Sequence, residues 1–167
     1  MALEPHKAAW LLTLDEDVKR VLPQLKESAR HLLLAHAALE SGWGQAKAWR
    51  HGFNFGNITA GPSWQGAKWT DVGGDEDAAG NKITQVWRAY STIDAAIKDY
   101  WDFLGPNQNR GRYLHARDFL ANGAVLDFAA ELHKARYYEL DPRKYAKFLA
   151  GVLQTVIREL LPTRLTP

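Results

Sequence analysis

A chain of 167 residues, 46% apolar and 24% charged, has the size and make-up of one folded domain, which excludes a disordered polymer. There is no cysteine, which excludes a disulfide framework and thiolate chemistry, and a net charge of +2 is too small to mark a nucleic-acid binder. No apolar run reaches the roughly 20 residues that cross a bilayer, so no membrane insertion is expected.

The first residues, Met1-Ala2-Leu3-Glu4-Pro5-His6-Lys7, lack the layout of a signal peptide, which predicts synthesis in the cytoplasm. Thr13-Leu14-Asp15-Glu16 reads as a capping box. Val18, Val21, Leu22 and Leu25 follow at helical spacing, and Pro23 bends or splits the segment. Ser28 can cap the next helix, 29–40. Its Leu32, Leu33, Leu34, Ala35, Ala37, Ala38 and Leu39 leave almost no polar face, so this helix should be buried and central. Gly42 is placed to end it in a left-handed conformation.

Residues 42–66 are rich in Gly, Trp, Phe and Asn without helical period, and read as a structured loop lining a groove. Segments 68–72 and 82–90 alternate weakly and suggest a hairpin, joined by an acidic, exposed connection at 73–81. Ser91 caps a helix with the buried stripe Ile93, Ala96, Ile97, Tyr100 and Leu104. Val125, Phe128, Ala129 and Leu132 mark another. Asp141 and Pro142 open a last helix with the stripe Tyr145, Phe148, Leu149, Val152, Val156 and Leu160. The expected architecture is mostly α (α+β): one domain over 1–167, with a helical segment at 1–27 before a core at 28–160.

Glu40 closes an apolar, buried helix. The negative end of the helix dipole repels an anion there, and burial disfavours ionisation. Both raise the carboxyl pKa, which keeps the proton a general acid needs to protonate a glycosidic oxygen. The competing reading is a carboxyl at a frayed, exposed helix end, or one held by donors in the following loop. Ser41-Gly42-Trp43-Gly44 beside it, with a sharp turn and an aromatic, suits a cleft floor.

His31, His36, His51, His115 and His133 show no metal-ligand spacing with a nearby acid, so neither a metal nor another cofactor is expected. His36 lies one turn before Glu40, and a polar contact within the helix is its default role. Of the seven Trp and six Tyr, about half read as core filling; those in Gly-rich and polar segments suit stacking on sugars.

Several blocks then fall in one order: Ala35-His36-Ala37-Ala38-Leu39-Glu40-Ser41-Gly42-Trp43-Gly44, Asn54-Phe55-Gly56-Asn57-Ile58, Trp64-Gln65-Gly66, Trp87-Arg88-Ala89-Tyr90-Ser91, Asp99-Tyr100, Arg112-Tyr113 and Tyr138 to Ala146. Over about residues 28–157 the chain resembles the N-acetylglucosaminidases of glycoside hydrolase family 73, found in flagellar rod proteins, autolysins and phage lysins. The resemblance implies a lysozyme-like fold, a helical lobe and a small β-hairpin lobe with the glycan in a groove between them. It implies cleavage of β-1,4 bonds in peptidoglycan, with Glu40 as the acid and Tyr113 near the scissile sugar; the alternative for Tyr113 is a ring packing one lobe on the other. The second acid falls in a loosely matching stretch, with Asp75 or Glu76 fitting best and Asp71 next. Sugar-binding candidates are Trp43, Asn54, Phe55, Asn57, Trp64 and Tyr90.

The expected protein is thus a monomeric peptidoglycan hydrolase, an endolysin made in the cytoplasm and freed to the periplasm and cell wall by holin-type release. Two rivals stand beside it: a muramidase or lytic transglycosylase using the same Glu, and a peptidoglycan-binding module that has lost its chemistry.

Overall fold

The computed structural model describes residues 3–76 and 80–161, with the backbone alone at 74–76. The chain begins with helix α1 (Pro5–Val21) and continues through α2 (Glu27–Ser41) to the short α3 (Lys47–Gly52). A hairpin of β1 (Lys68–Glu76) and β2 (Lys82–Arg88) follows. Among the described residues four helices follow: α4 (Ile93–Phe103), α5 (Leu114–Ala121), α6 (Val125–Lys134) and α7 (Pro142–Leu160), with a 3₁₀ turn at Asn109–Gly111 between α4 and α5. The helix-rich architecture with one hairpin agrees with the expectation from sequence.

The core centres on α2, in which every residue from His31 to Ala38 is buried. It packs against α7, α1 and α5. Leu32, Leu33 and Leu34 lose all contact with solvent, each contributing on the order of 1.5–3 kcal/mol. Leu11, Leu14 and Val18 of α1 meet this core at helical spacing. At the helix end Gly42 takes φ +56, and its N–H bonds to the Ala38 carbonyl, as the sequence indicated. Trp43 (φ 58) and Gly44 (φ 80) continue in the left-handed region, so the chain coils sharply just past Glu40. A Cβ on Gly44 would lie 2.5 Å from the Trp10 ring, so only glycine fits against that indole.

Several local expectations change. Thr13 is not a cap: α1 opens at Pro5, and the Thr13 hydroxyl donates back to the Ala9 carbonyl at 3.0 Å, inside the helix. Helix α2 starts at Glu27 after Lys26, without a side-chain cap, so Ser28 lies within its first turn. Thr92, not Ser91, caps α4, accepting from the Ala95 N–H at 3.2 Å. The stretch read as loop contains α3, and α5 went unseen, because both are short and carry few periodic apolar residues. Asp141 does cap α7, accepting from the Arg143 and Lys144 N–H groups. Phe148 is not part of the α7 core face: it is 54% exposed, while Tyr145, Leu149 and Val156 point inward.

The hairpin is antiparallel, with Trp69 opposite Trp87 and Asp71 opposite Gln85. Its pairing slips between Asp71 and Asp75, which faces Ile83. Strand β1 therefore runs on to Glu76, through residues expected to form an exposed connection.

Candidate active site

The site grows out of the C-terminal end of α2. Glu40 occupies its last turn, and its side chain is only 15% exposed. Oε1 accepts a hydrogen bond from the Tyr145 hydroxyl at 2.6 Å. Oε2 lies 3.3 Å from Asn57 Nδ2, which also donates to the Glu40 backbone carbonyl at 2.7 Å. Asn57 thus closes an open helix-end carbonyl and touches the acid at once. Its φ of 47 is one that Asn tolerates better than most residues.

Burial raises the Glu40 pKa above its ordinary value, while the Tyr145 and Asn57 donors pull it back. Burial wins. Of the sequence alternatives, the exposed, frayed end is absent, and the loop donor is present alongside the burial.

Behind the acid sits His36, fully buried. Its Nδ1 lies 2.6 Å from the Tyr100 hydroxyl, and its Nε2 lies 3.7 Å from Glu40 Oε1. Burial pushes the imidazole pKa down to about 3, so the ring is neutral. Phenols complete the surround. Tyr138 stacks on Tyr145 at 3.7 Å and 13°, and is anchored by its hydroxyl to the Ala129 carbonyl at 2.7 Å. Tyr137 donates to the Gly56 carbonyl. Burial and the neighbouring Glu40 hold the Tyr100, Tyr137 and Tyr145 phenols well above their usual pKa, so all three stay neutral donors.

The other candidates scatter. Tyr113 is buried, stacked on Phe103 at 4.8 Å and edge-on to Tyr137 at 5.8 Å, both rings of the helical part of the molecule. Asp71 pairs with Lys47 Nζ at 3.2 Å, tying the hairpin to α3. Asp75 and Glu76 face Ile83 and Lys82 along the backbone, and their side chains lie outside the described residues.

Two sugar-binding candidates turn inward. Asn54 and Phe55 are each 1% exposed, so neither offers a surface to a ligand. Asn54 Nδ2 donates to the Ile58 and Arg88 carbonyls, and its Oδ1 accepts from the Ile58 N–H; it is a brace between the loop and β2. Phe55 fills core between Trp49 and Tyr100.

Trp43 and Trp64 are half-buried. Trp43 meets Trp10 edge-on at 6.1 Å. The Arg88 guanidinium covers the Trp64 ring at 4.4 Å, and the indole N–H donates to the Ala67 carbonyl. Tyr90 donates to Asp99 Oδ2 at 2.7 Å. Of the six, Asn57 is the one hydrogen-bonded to Glu40. The sequence reading missed Tyr145 and Tyr100, both taken for core stripe; no local spacing could pair Tyr145 with Glu40 or Tyr100 with His36.

A helical core carrying one hairpin, with a buried acid at a helix end, is the build of a glycoside hydrolase domain. The chain belongs to the glucosaminidase family, whose family model, described as mannosyl-glycoprotein endo-beta-N-acetylglucosaminidase, matches residues 17–158.

It is 37% identical over 129 residues to the peptidoglycan hydrolase FlgJ of Vibrio parahaemolyticus, covering 75% of this chain and 40% of that protein. To FlgJ of Vibrio cholerae it is 34% identical over 145 residues, covering 79% and 41%. The chain therefore spans about two fifths of the length of these relatives. Among solved structures, a C-terminally truncated glycoside hydrolase domain of Salmonella typhimurium FlgJ superposes with a TM-score of 0.65 at 26% identity, covering 91% of this chain and 98% of that one. The catalytic domain of the autolysin Auto from Listeria monocytogenes shares the fold, with a TM-score of 0.67 at 15% identity over 95% and 90% of the two chains.

Proposed function

We propose that this chain hydrolyses the β-1,4 glycosidic bonds of bacterial peptidoglycan after N-acetylglucosamine, with Glu40 as the general acid. The observation that carries the reading is the Glu40 carboxyl, buried at a helix end with a pKa held above the ordinary range by desolvation. The FlgJ relatives are peptidoglycan hydrolases, which supports the substrate.

In the step itself the C1–O bond breaks, its electron pair goes to the leaving oxygen, and that oxygen takes the Glu40 proton. Water bonds to C1 through its oxygen, and the proton it loses goes to a carboxylate of the site, from which the Glu40 acid is restored. The second carboxylate is proposed to come from the hairpin, at Asp75, Glu76 or Asp71. Tyr113 is proposed to lie near the scissile sugar, its ring held against Phe103 and Tyr137. Glycan contacts are proposed for Trp43, Trp64 and Tyr90, which keep partial exposure.

Mass spectrometry of digested wall tests the bond. Reducing-end N-acetylglucosamine is the expected product. A reducing N-acetylmuramic acid would make the chain a muramidase, and an anhydro sugar a transglycosylase. No release of sugar at all would leave a binding module.

Delivery is proposed on the same footing: cytoplasmic synthesis, then passage to the wall through a holin-type pore, as a monomer. Expression in a bacterial cytoplasm should lyse the host only when a pore former is coexpressed. Lysis without one overturns this route.

A further inference from the structure

His36 makes one hydrogen bond and leaves one ring nitrogen unmet. The Tyr100 hydroxyl sits 2.6 Å from Nδ1, and it has no other recorded partner among the described residues. A buried phenol needs an acceptor for its proton, so it donates to Nδ1. A neutral imidazole then carries its single hydrogen on Nε2. That Nε2 is buried and has no hydrogen-bond partner among the described residues. The acceptor it faces is Glu40 Oε1, at 3.7 Å, which is just beyond hydrogen-bond reach.

The ring cannot turn away. Tyr100, Phe128, Tyr137 and Tyr145 surround it, with ring centroids between 5.2 and 6.4 Å. Its place in the helix, one turn before Glu40, fixes the direction in which Nε2 points.

We infer that His36 is a positioning residue: its Nε2–H and the Tyr145 hydroxyl both face Glu40 Oε1, so the transferable proton rides on Oε2, and the carboxylate left after transfer finds a donor already in place. The inference rests on Glu40 being the acid. Oε1 has two donors aimed at it, and a proton on that oxygen would collide with them. Among the described residues Oε2 meets only the longer Asn57 contact, at 3.3 Å. While Glu40 is protonated, the Nε2–H contact stays loose. When the proton leaves for the glycosidic oxygen, negative charge appears on the carboxyl, and a small shift closes the 3.7 Å gap into a charge-assisted hydrogen bond.

Among the described residues no cation competes for this role. The titratable groups facing Glu40 are His36 from α2, Tyr100 from α4, Tyr137 and Tyr138 from the segment after α6, and Tyr145 from α7. All are neutral in the working range. Among the described residues no Lys or Arg pairs with the carboxyl.

Two variants separate donor from packing. In His36→Gln the amide can accept from Tyr100 and donate toward Glu40. In His36→Leu the volume stays and both functions go. The Glu40 carboxyl is titrated by NMR in the free protein, alongside the pH profile of kcat/KM on solubilised wall glycan.

His36→Leu should raise the Glu40 pKa and the basic limb of the profile together by about one unit, with kcat falling about tenfold and KM little changed. His36→Gln should restore both toward wild type. An unmoved Glu40 titration in a folded His36→Leu overturns the inference, as does equal impairment of both variants without a shift. Should Glu40→Gln hydrolyse wall as well as wild type, the acid assignment itself fails. That outcome is distinct, since the NMR shift does not depend on turnover.

Discussion

The Tyr145 hydroxyl donates to Oε1 of Glu40 at 2.6 Å, across 105 residues of chain. The last turn of α2 carries the acid, and α7 supplies the donor that fixes its orientation. Removing that donor in Tyr145→Phe should raise the Glu40 pKa further, because a hydrogen bond to the charged form is lost. Activity should fall by roughly 10-fold or more through kcat, from a bond on the order of 1.5–3 kcal/mol when the carboxylate is charged. An unchanged kcat with a raised KM would instead make Tyr145 a sugar contact.

Glu40→Gln keeps the shape and removes the proton. Activity on wall suspensions should drop by about 10²–10⁴-fold, the range of a lost general acid. The stability effect has a definite sign. Glu40 is raised in the folded state, so its contribution is fully present below the ordinary carboxylate pKa and is lost as pH rises through the folded value. Thermal melts should therefore show Glu40→Gln gaining on wild type between pH 4 and pH 8. A constant difference across that range would contradict the buried acid.

Asn57 has two tasks that can be separated. Asn57→Gly keeps the left-handed backbone but deletes both contacts to Glu40, while Asn57→Ala also strains φ 47. The glycine variant should lose activity with a Tm near wild type. The alanine variant should lose about 1–2 kcal/mol of stability as well. Equal melting of the two would mean that the side-chain bonds, not the backbone, hold this turn.

Away from the acid, Arg88 and Asp99 bind β2 to α4. Arg88 is buried between Trp64 and Phe103 and donates to Asp99 Oδ2 at 2.7 Å and to Gln108 at 2.9 Å, while Tyr90 also donates to Asp99. Asp99→Ala leaves a buried guanidinium unpaired and should cost about 3–5 kcal/mol in denaturant unfolding. Tyr90→Phe removes one neutral-donor bond and should cost on the order of 1–2 kcal/mol. A mild Asp99→Ala would show that Gln108 carries the pairing.

The sequence alone determined what depends on neighbours along the chain. The apolar run at 32–39 fixed α2 as the buried helix, Gly42 fixed its left-handed end, and Asp141-Pro142 fixed the start of α7. It also singled out Glu40, because an acid at the end of such a helix is out of place locally, whatever surrounds it.

Tertiary structure decided the rest. Tyr145 and Phe148 look alike in the α7 pattern, yet one points at the acid and the other at solvent, because the rotation of the helix is set by what α7 packs against. Asn54, Phe55 and Asn57 share one motif, and only the fold of that loop sends two inward and one to Glu40. Helices α3 and α5 escaped because short segments draw their stability from packing rather than from their own periodicity. The partners of Glu40 other than His36 come from distant segments, and long-range contact leaves no spacing in a single sequence.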